Sequence, residues 1–230
     1  MNTTAIILGI VIIILIYVLY RYFTNTTTTL GSLTDLSSRS TTTPFTIKGD
    51  IASSTSPRYS FGLWLYIDTW DSNQTKNIFY RQNSDTSKYD IRLYLEPYSP
   101  ILKCDFYTKG SSSTQTETIT ITNNFSVQKW VYIIISADNK IIDCYIDGKL
   151  VTSQQLQNQP TFSDTDIYVG SFNAHLAKFQ RITSPMDPQT AWSNYMSGNG
   201  GNTLSKMFSS YGLDVTFKKD NVQQQTFSIF

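Results

Sequence analysis

One histidine, two cysteines and two glutamates are the whole supply of those residue types in 230 residues. His175 stands in the stretch SFNAHLAK with no obvious nucleophile beside it, so a Ser-His-Asp or Cys-His arrangement would depend on that one position. Two cysteines and one histidine without ligand spacing exclude a zinc site. Glu96 and Glu117 lie in different segments, and neither has an acidic residue two positions on, so the paired carboxylates that glycoside hydrolysis needs are missing. Charge is sparse as well, at 15% of residues with a formal net charge of +1, which removes the basic excess a nucleic-acid partner would require. Together these shortages point to a chain that is not an enzyme and holds no obligatory cofactor. Cys104 and Cys144 fall inside the strand-like segments ILKCDFY and IIDCYID, where a free cysteine serves as a small hydrophobe; a single disulfide is the alternative for a domain of this size.

Long hydrophobic runs are absent except for one. Ala5 to Tyr20, AIILGIVIIILIYVLY, carries no charge and is apolar on every face. A hydrocarbon core of ~30 Å needs roughly 20 such residues at ~1.5 Å each, and Thr3, Thr4, Tyr22 and Phe23 extend the run to that length. Residues 1–23 therefore read as a single transmembrane anchor. Ala5, Ile6, Leu8, Ile12 and Leu15 would face lipid, while Tyr20 and the snorkelling Arg21 would sit at the headgroups. A cleaved signal peptide would want a positive start, a shorter apolar stretch and a small-x-small cleavage site, none of which is present. Arg21, Arg39 and Lys48 all follow the run, and by the positive-inside rule they place the C-terminal domain on the cytoplasmic side.

Residues 24–44, rich in Ser and Thr, have no sustained period and read as a linker. As a coil some 20 such residues span roughly 25 Å, and at most about 65 Å extended. From Phe45 to the C-terminus the pattern is that of short strands and turns. Tyr59–Ile67 alternates Phe61, Leu63, Leu65 and Ile67 against Trp64 and Tyr66. Further strands are expected near 77–82, 89–95, 101–108, 116–122, 130–137, 141–146, 149–151, 167–170 and 177–182. Asp147-Gly148 between two apolar runs is the strongest hairpin signal in the chain. One short helix is signalled by Asp187 as N-cap, Pro188 at its first position, an apolar stripe of Ala191, Trp192 and Tyr195, and Gly198 as its stop. A last strand pair is expected around Asp220-Asn221. The expected fold is all-β: a two-sheet antiparallel jelly-roll sandwich over 45–230 with one short helix, preceded by the transmembrane helix.

The string WVYIIISADNKIIDCYIDGKLV resembles the most recognisable segment of the concanavalin A-like lectin/glucanase superfamily, which includes laminin G-like and pentraxin-like domains. Trp130 opens a strand, and Tyr145, Asp147 and Gly148 close the next. Phe61 and Trp64 in YSFGLWLYI are similar to an early strand of that family, and the stretch from Asp166 to Gly198 to its late strand pair and helix. Relatives often hold calcium with loop carboxylates, which the resemblance transfers to Asp164 and Asp166; the other reading of these two is that they cap a turn. A carbohydrate would be met by the loop group Trp70, Asp71 and Asn73, unless Trp70 is a packing plug. The anchor together with a final SIF-type strand resembles membrane-associated virion proteins of large icosahedral DNA viruses. The expectation that follows is a non-enzymatic protein tethering an internal virion membrane to a protein shell. Its partners would be the lipid bilayer and structural proteins such as a major capsid protein, with no nucleic acid. The alternative is a lectin-like attachment module.

Overall fold

The computed structural model describes residues 3–23, 27–84, 88–110, 114–200, 214–219 and 222–228, with side chains described for 8–19, 27–84, 88–110 and 115–200. Helix α1 is Thr3–Phe23. The strands, in chain order, are β1 Thr27–Gly31, β2 Thr34–Asp35, β3 Arg58–Ile67, β4 Lys76–Gln82, β5 Tyr89–Leu95, β6 Leu102–Lys109, β7 Thr114–Thr122, β8 Val131–Asp138, β9 Ile141–Ile146, β10 Lys149–Gln155, β11 Gln159–Pro160, β12 Ile167–Val169, β13 Ala174–Ile182, β14 Asp214–Lys219 and β15 Val222–Ser228. Helix α2, Pro188–Met196, follows β13.

Among the described residues the strands form two main antiparallel sheets. One runs β1-β13-β3-β8-β9-β10, with β2 beside β13, and the other β11-β6-β5-β4-β12, with β7 beside β6. Alternation decides which residues meet between them. Phe61, Leu63, Leu65 and Ile67 of β3 join Ile133, Ile135 and Cys144 from the first sheet against Ile91, Leu93, Phe106 and Ile119 from the second, all buried in one cluster. Each such aliphatic or aromatic side chain contributes about 1.5–3 kcal/mol by leaving water. The opposite face of the first sheet buries a smaller cluster of Trp64, Tyr132, Ile134, Tyr145 and Ala177 under Met186 and Ala191. The β3 alternation predicts this split, because α2 covers the second face. β14 and β15 pair with each other as expected, and their turn, Asp220-Asn221, lies outside the described residues.

The linker reading of 24–44 is corrected. Thr27–Gly31 pairs with β13 from Thr27 opposite Ile182 to Gly31 opposite Phe179, and Leu30 and Leu36 are buried in the main core. A five-residue strand has too few positions to show alternation, and β-branched threonines suit a sheet once a partner edge is available. Only residues 24–26 separate α1 from β1, a distance of at most about 15 Å between Phe23 and Thr27.

Residues 10–19 of α1 are exposed in every direction around the helix. Taken over the residues whose side chains are described, no helix is long and apolar enough to cross a membrane. The part of α1 with described side chains, residues 8–19, measures about 18 Å, and the full helical run Thr3–Phe23 about 31 Å. The side chains of Ala5, Ile6, Tyr20 and Arg21 lie outside the described ones, whereas Leu8, Ile12 and Leu15 are exposed.

Candidate functional site

The hairpin at Asp147-Gly148 builds the site. Both residues take positive φ, 49° and 75°, the geometry of the two-residue turn that Asp-Gly favours. Gly148 lies directly beneath α2, so that a Cβ there would stand 3.0 Å from the Cα of Trp192 and 3.0 Å from the Cβ of Tyr195. The helix is fixed at its start by Asp187, whose Oδ1 accepts a hydrogen bond from the Thr190 backbone N–H at 2.9 Å. A hydrogen bond from the Thr190 side chain, followed by that backbone bond, holds the Asp187 carboxyl below its usual range. It is held from below by Tyr145, whose hydroxyl donates to the Met186 carbonyl at 3.1 Å, and by the Ser136 hydroxyl, which accepts from the Met186 N–H at 2.9 Å.

Four aromatic rings run from the sheet to the surface. Tyr132 stacks on Trp64 at 5.0 Å, Trp64 on Tyr195 at 5.6 Å, and Tyr195 meets Trp192 at 5.5 Å. Burial pushes the Tyr132 phenol up to about 12, against a hydrogen bond with Asn194 that lowers it. The ladder ends in Trp192, which the helical stripe places in the interior but which is 45% exposed. Its exposure follows from the seating of α2: Ala191 and Tyr195 take the contacts with the sheet, and the adjacent position overhangs the hairpin.

Trp192 overhangs a cleft of about 400 Å³. Phe125, Val131, Ile146 and Val151 give it an apolar floor, and Asn124, Ser126, Lys129, Asp147 and Lys149 its polar rim. Asp147 Oδ1 accepts from the Tyr132 N–H at 2.9 Å, and its Oδ2 lies 3.9 Å from Lys129 Nζ. A rigid, half-exposed indole beside amide, hydroxyl, ammonium and carboxylate groups is suited to bind a small ring with an apolar face and polar edges. It offers no nucleophile–base pair.

The residues singled out from sequence lie elsewhere. In the Trp70 loop the polar groups are occupied within the loop: Asp71 accepts from the Asn73 N–H at 2.9 Å and the Gln74 amide at 3.1 Å, while the Lys76 ammonium sits 4.0 Å over the Trp70 ring and donates to the Asp71 carbonyl. Trp70 packs against the core and is the plug. Asp164 accepts from the Ser54 hydroxyl at 2.5 Å and lies 3.9 Å from Arg81 Nη2, and Asp166 accepts from the Lys48 N–H at 2.8 Å. These carboxylates fasten residues 48–54 to the sandwich, Asp164 beside the Arg81 guanidinium. Among the described residues no group of three or more His, Cys, Asp or Glu side chains is arranged to hold a metal. His175 pairs with Asp68 at 3.2 Å, Glu96 with Lys103, and Glu117 caps backbone N–H groups of Gln157 and Asn158. Cys104 and Cys144 are buried free thiols on facing sheets. Asn124, Lys129, Lys149 and Trp192 were not singled out as a site by the sequence. Their one common signal is proximity to the Asp147-Gly148 turn, which the chain reveals only once α2 is known to dock there.

A two-sheet antiparallel sandwich with one short helix and an open cleft at its rim defines, among the described residues, a jelly-roll domain. Residues 39–180, well over half of the chain, match the family model of the concanavalin A-like lectin/glucanases superfamily. The chain belongs to this superfamily. No curated protein matches it. Among solved structures, the binding domain of Paraclostridial Mosquitocidal Protein 1 is similar at 12% identity with a TM-score of 0.50, covering 61% of this chain and 37% of that one. The botulinum neurotoxin type G receptor binding domain is similar at 14% identity with a TM-score of 0.48, covering 62% and 38%. The chain thus spans well under half the length of these structures, and the likeness concerns the fold.

Proposed function

We propose that this protein is a membrane-anchored, non-catalytic lectin-like module that binds a saccharide in the Trp192 cleft. The observation that carries the reading is the half-exposed Trp192, fixed by a four-ring ladder over a cleft with hydrogen-bonding groups on its rim. A pyranose has an apolar face that matches an indole and hydroxyls that match Asn124 and Asp147. The anchor is the 21-residue α1, whose length of about 31 Å equals a hydrocarbon core. Strand register supports the orientation. β1 begins opposite Ile182, at the end of the first sheet that also holds Arg58 and Asp138, whereas the cleft lies at the other end, by Val131, Ile146 and Lys149. With only three residues between anchor and β1, this register supports a cleft turned away from the bilayer. Arg39 packs on Phe45 and Lys48 is tied to Asp166, so both belong to the folded domain. That leaves Arg21 as the flanking charge, and the lectin reading puts the domain on the outer face of its membrane. The test is a glycan array probed with the full chain in nanodiscs, beside Trp192→Ala. Hits that disappear in the variant support the reading, and an array without hits refutes it.

A second reading is favoured by the free thiols Cys104 and Cys144 and by Arg21: a structural adaptor with its domain on the cytoplasmic side, linking an internal virion membrane to a shell protein. Protease protection in sealed membranes separates the two, since a domain protected on the cytoplasmic side excludes the first.

A further inference from the structure

We infer that the ligand of the Trp192 cleft is an acidic saccharide, a pyranose carrying one anionic group; this rests on the saccharide reading above. The rim holds two ammonium groups against one carboxylate. That carboxylate, Asp147, balances only one of them: one oxygen accepts the Tyr132 backbone N–H, and the other faces Lys129 at 3.9 Å. Lys149 is exposed and, among the described residues, has no ion-pair partner. It is the first residue after the Asp147-Gly148 turn, so the same hairpin that seats α2 also fixes the start of the Lys149 side chain beside Trp192.

A neutral hexose stacked on Trp192 would find hydrogen-bond partners in Asn124 and Asp147 but leave the Lys149 charge unanswered. An anionic substituent on the ring edge would face Lys149, with Lys129 on the same rim. The volume, near the lower end of the ~300–1,000 Å³ range of small-ligand sites, admits one or two sugar rings. Two lysines in one cleft, in a chain of net charge +1, match a ligand of single charge better than a polyanion that would need an extended basic track. The cleft lies at the end of the first sheet opposite the start of β1, so on the anchored reading it meets glycans presented from outside its own membrane.

The experiment is ligand-observed saturation-transfer NMR on the full chain in nanodiscs of uncharged phosphatidylcholine. The probes are galactose, glucuronic acid, N-acetylneuraminic acid and galactose 6-sulfate. Binding of the carboxylated or sulfated sugars more tightly than galactose is expected, and it should weaken as salt is raised. Lys149→Glu should lower the affinity for the acidic sugars about fivefold and remove their advantage over galactose. Preference among the three acids identifies the anionic group. Equal binding of galactose and the acids, with no effect of Lys149→Glu or salt, overturns this inference and leaves the saccharide reading intact. Absence of any transfer, or transfer that survives Trp192→Ala, overturns both. A circular-dichroism melt of each variant at the wild-type temperature confirms that lost binding is not lost folding.

Discussion

Replacing Gly148 by alanine tests the foundation of the site, because one atom probes both the turn and the helix above it. The backbone cost comes first: at a φ of 75° an L side chain is disfavoured by about 1 kcal/mol. The second cost is contact. The new Cβ would lie 3.0 Å from the Cα of Trp192, 3.0 Å from the Cβ of Tyr195 and 3.1 Å from the Trp192 ring. Two of these atoms belong to or adjoin the helix backbone and yield only if α2 lifts, an overpacking penalty of about 1–3 kcal/mol. The sum is about 2–4 kcal/mol, or a fall in Tm of roughly 5–12 °C for a domain of this size. Gly198→Ala supplies the control, since Gly198 has a φ of 72° but nothing within 4 Å of its absent Cβ, so it should lose the backbone cost alone. Urea unfolding followed by tryptophan fluorescence gives both values, and near-UV circular dichroism reports displacement of the ring ladder. Equal losses in the two variants would refute the seating of α2 on the turn, and with it the account of how Trp192 is positioned.

Two further outcomes are expected. The Glu117 carboxyl is raised by burial but lowered further by the hydrogen bonds it accepts from Gln157, Thr108 and Asn158, leaving it below the usual range. Its contribution, about 1 kcal/mol or less once solvent screening is allowed for, is therefore complete above the unfolded value and lost as pH falls through the lower folded value. The gap between wild type and Glu117→Gln in unfolding titrations should shrink as pH falls below the ordinary glutamate value of about 4.3, and a constant gap down to pH 2 would sink the assignment. Burial, followed by the neighbouring Cys144 and Asp105, pushes the Cys104 thiol well up, and burial with Asp143 pushes Cys144 to about 12. Neither should react with an aromatic disulfide reagent at pH 8 until urea is added, when two equivalents should appear; rapid labelling of the native protein, or none after unfolding, would contradict two buried free thiols.

The β3 alternation, the Asp147-Gly148 turn, the Asp187-Pro188 helix start and the unbroken apolar run at the N-terminus are local features, and each is written in adjacent residues. Their physical causes act over a few positions: side-chain direction in a strand, positive φ, a capped N–H group, and transfer of apolar surface. The sequence alone therefore determined most strands from Tyr59 to Ile182, the sandwich class, the superfamily and the shortage of catalytic groups. It also determined the length of the apolar helix, α1. What it could not carry were relations between distant segments. Thr27–Gly31 became a strand because β13 offers it an edge 150 residues later. Trp70 became a plug because the Lys76 ammonium covers its ring. Asp164 and Asp166 became fasteners because Ser54 and Lys48 come to them. The cleft itself exists only where α2 lands on a hairpin 40 residues earlier in the chain. Docking of that kind is decided by shape and burial over the whole core, so the tertiary structure alone turned a helical tryptophan into the exposed overhang of a site.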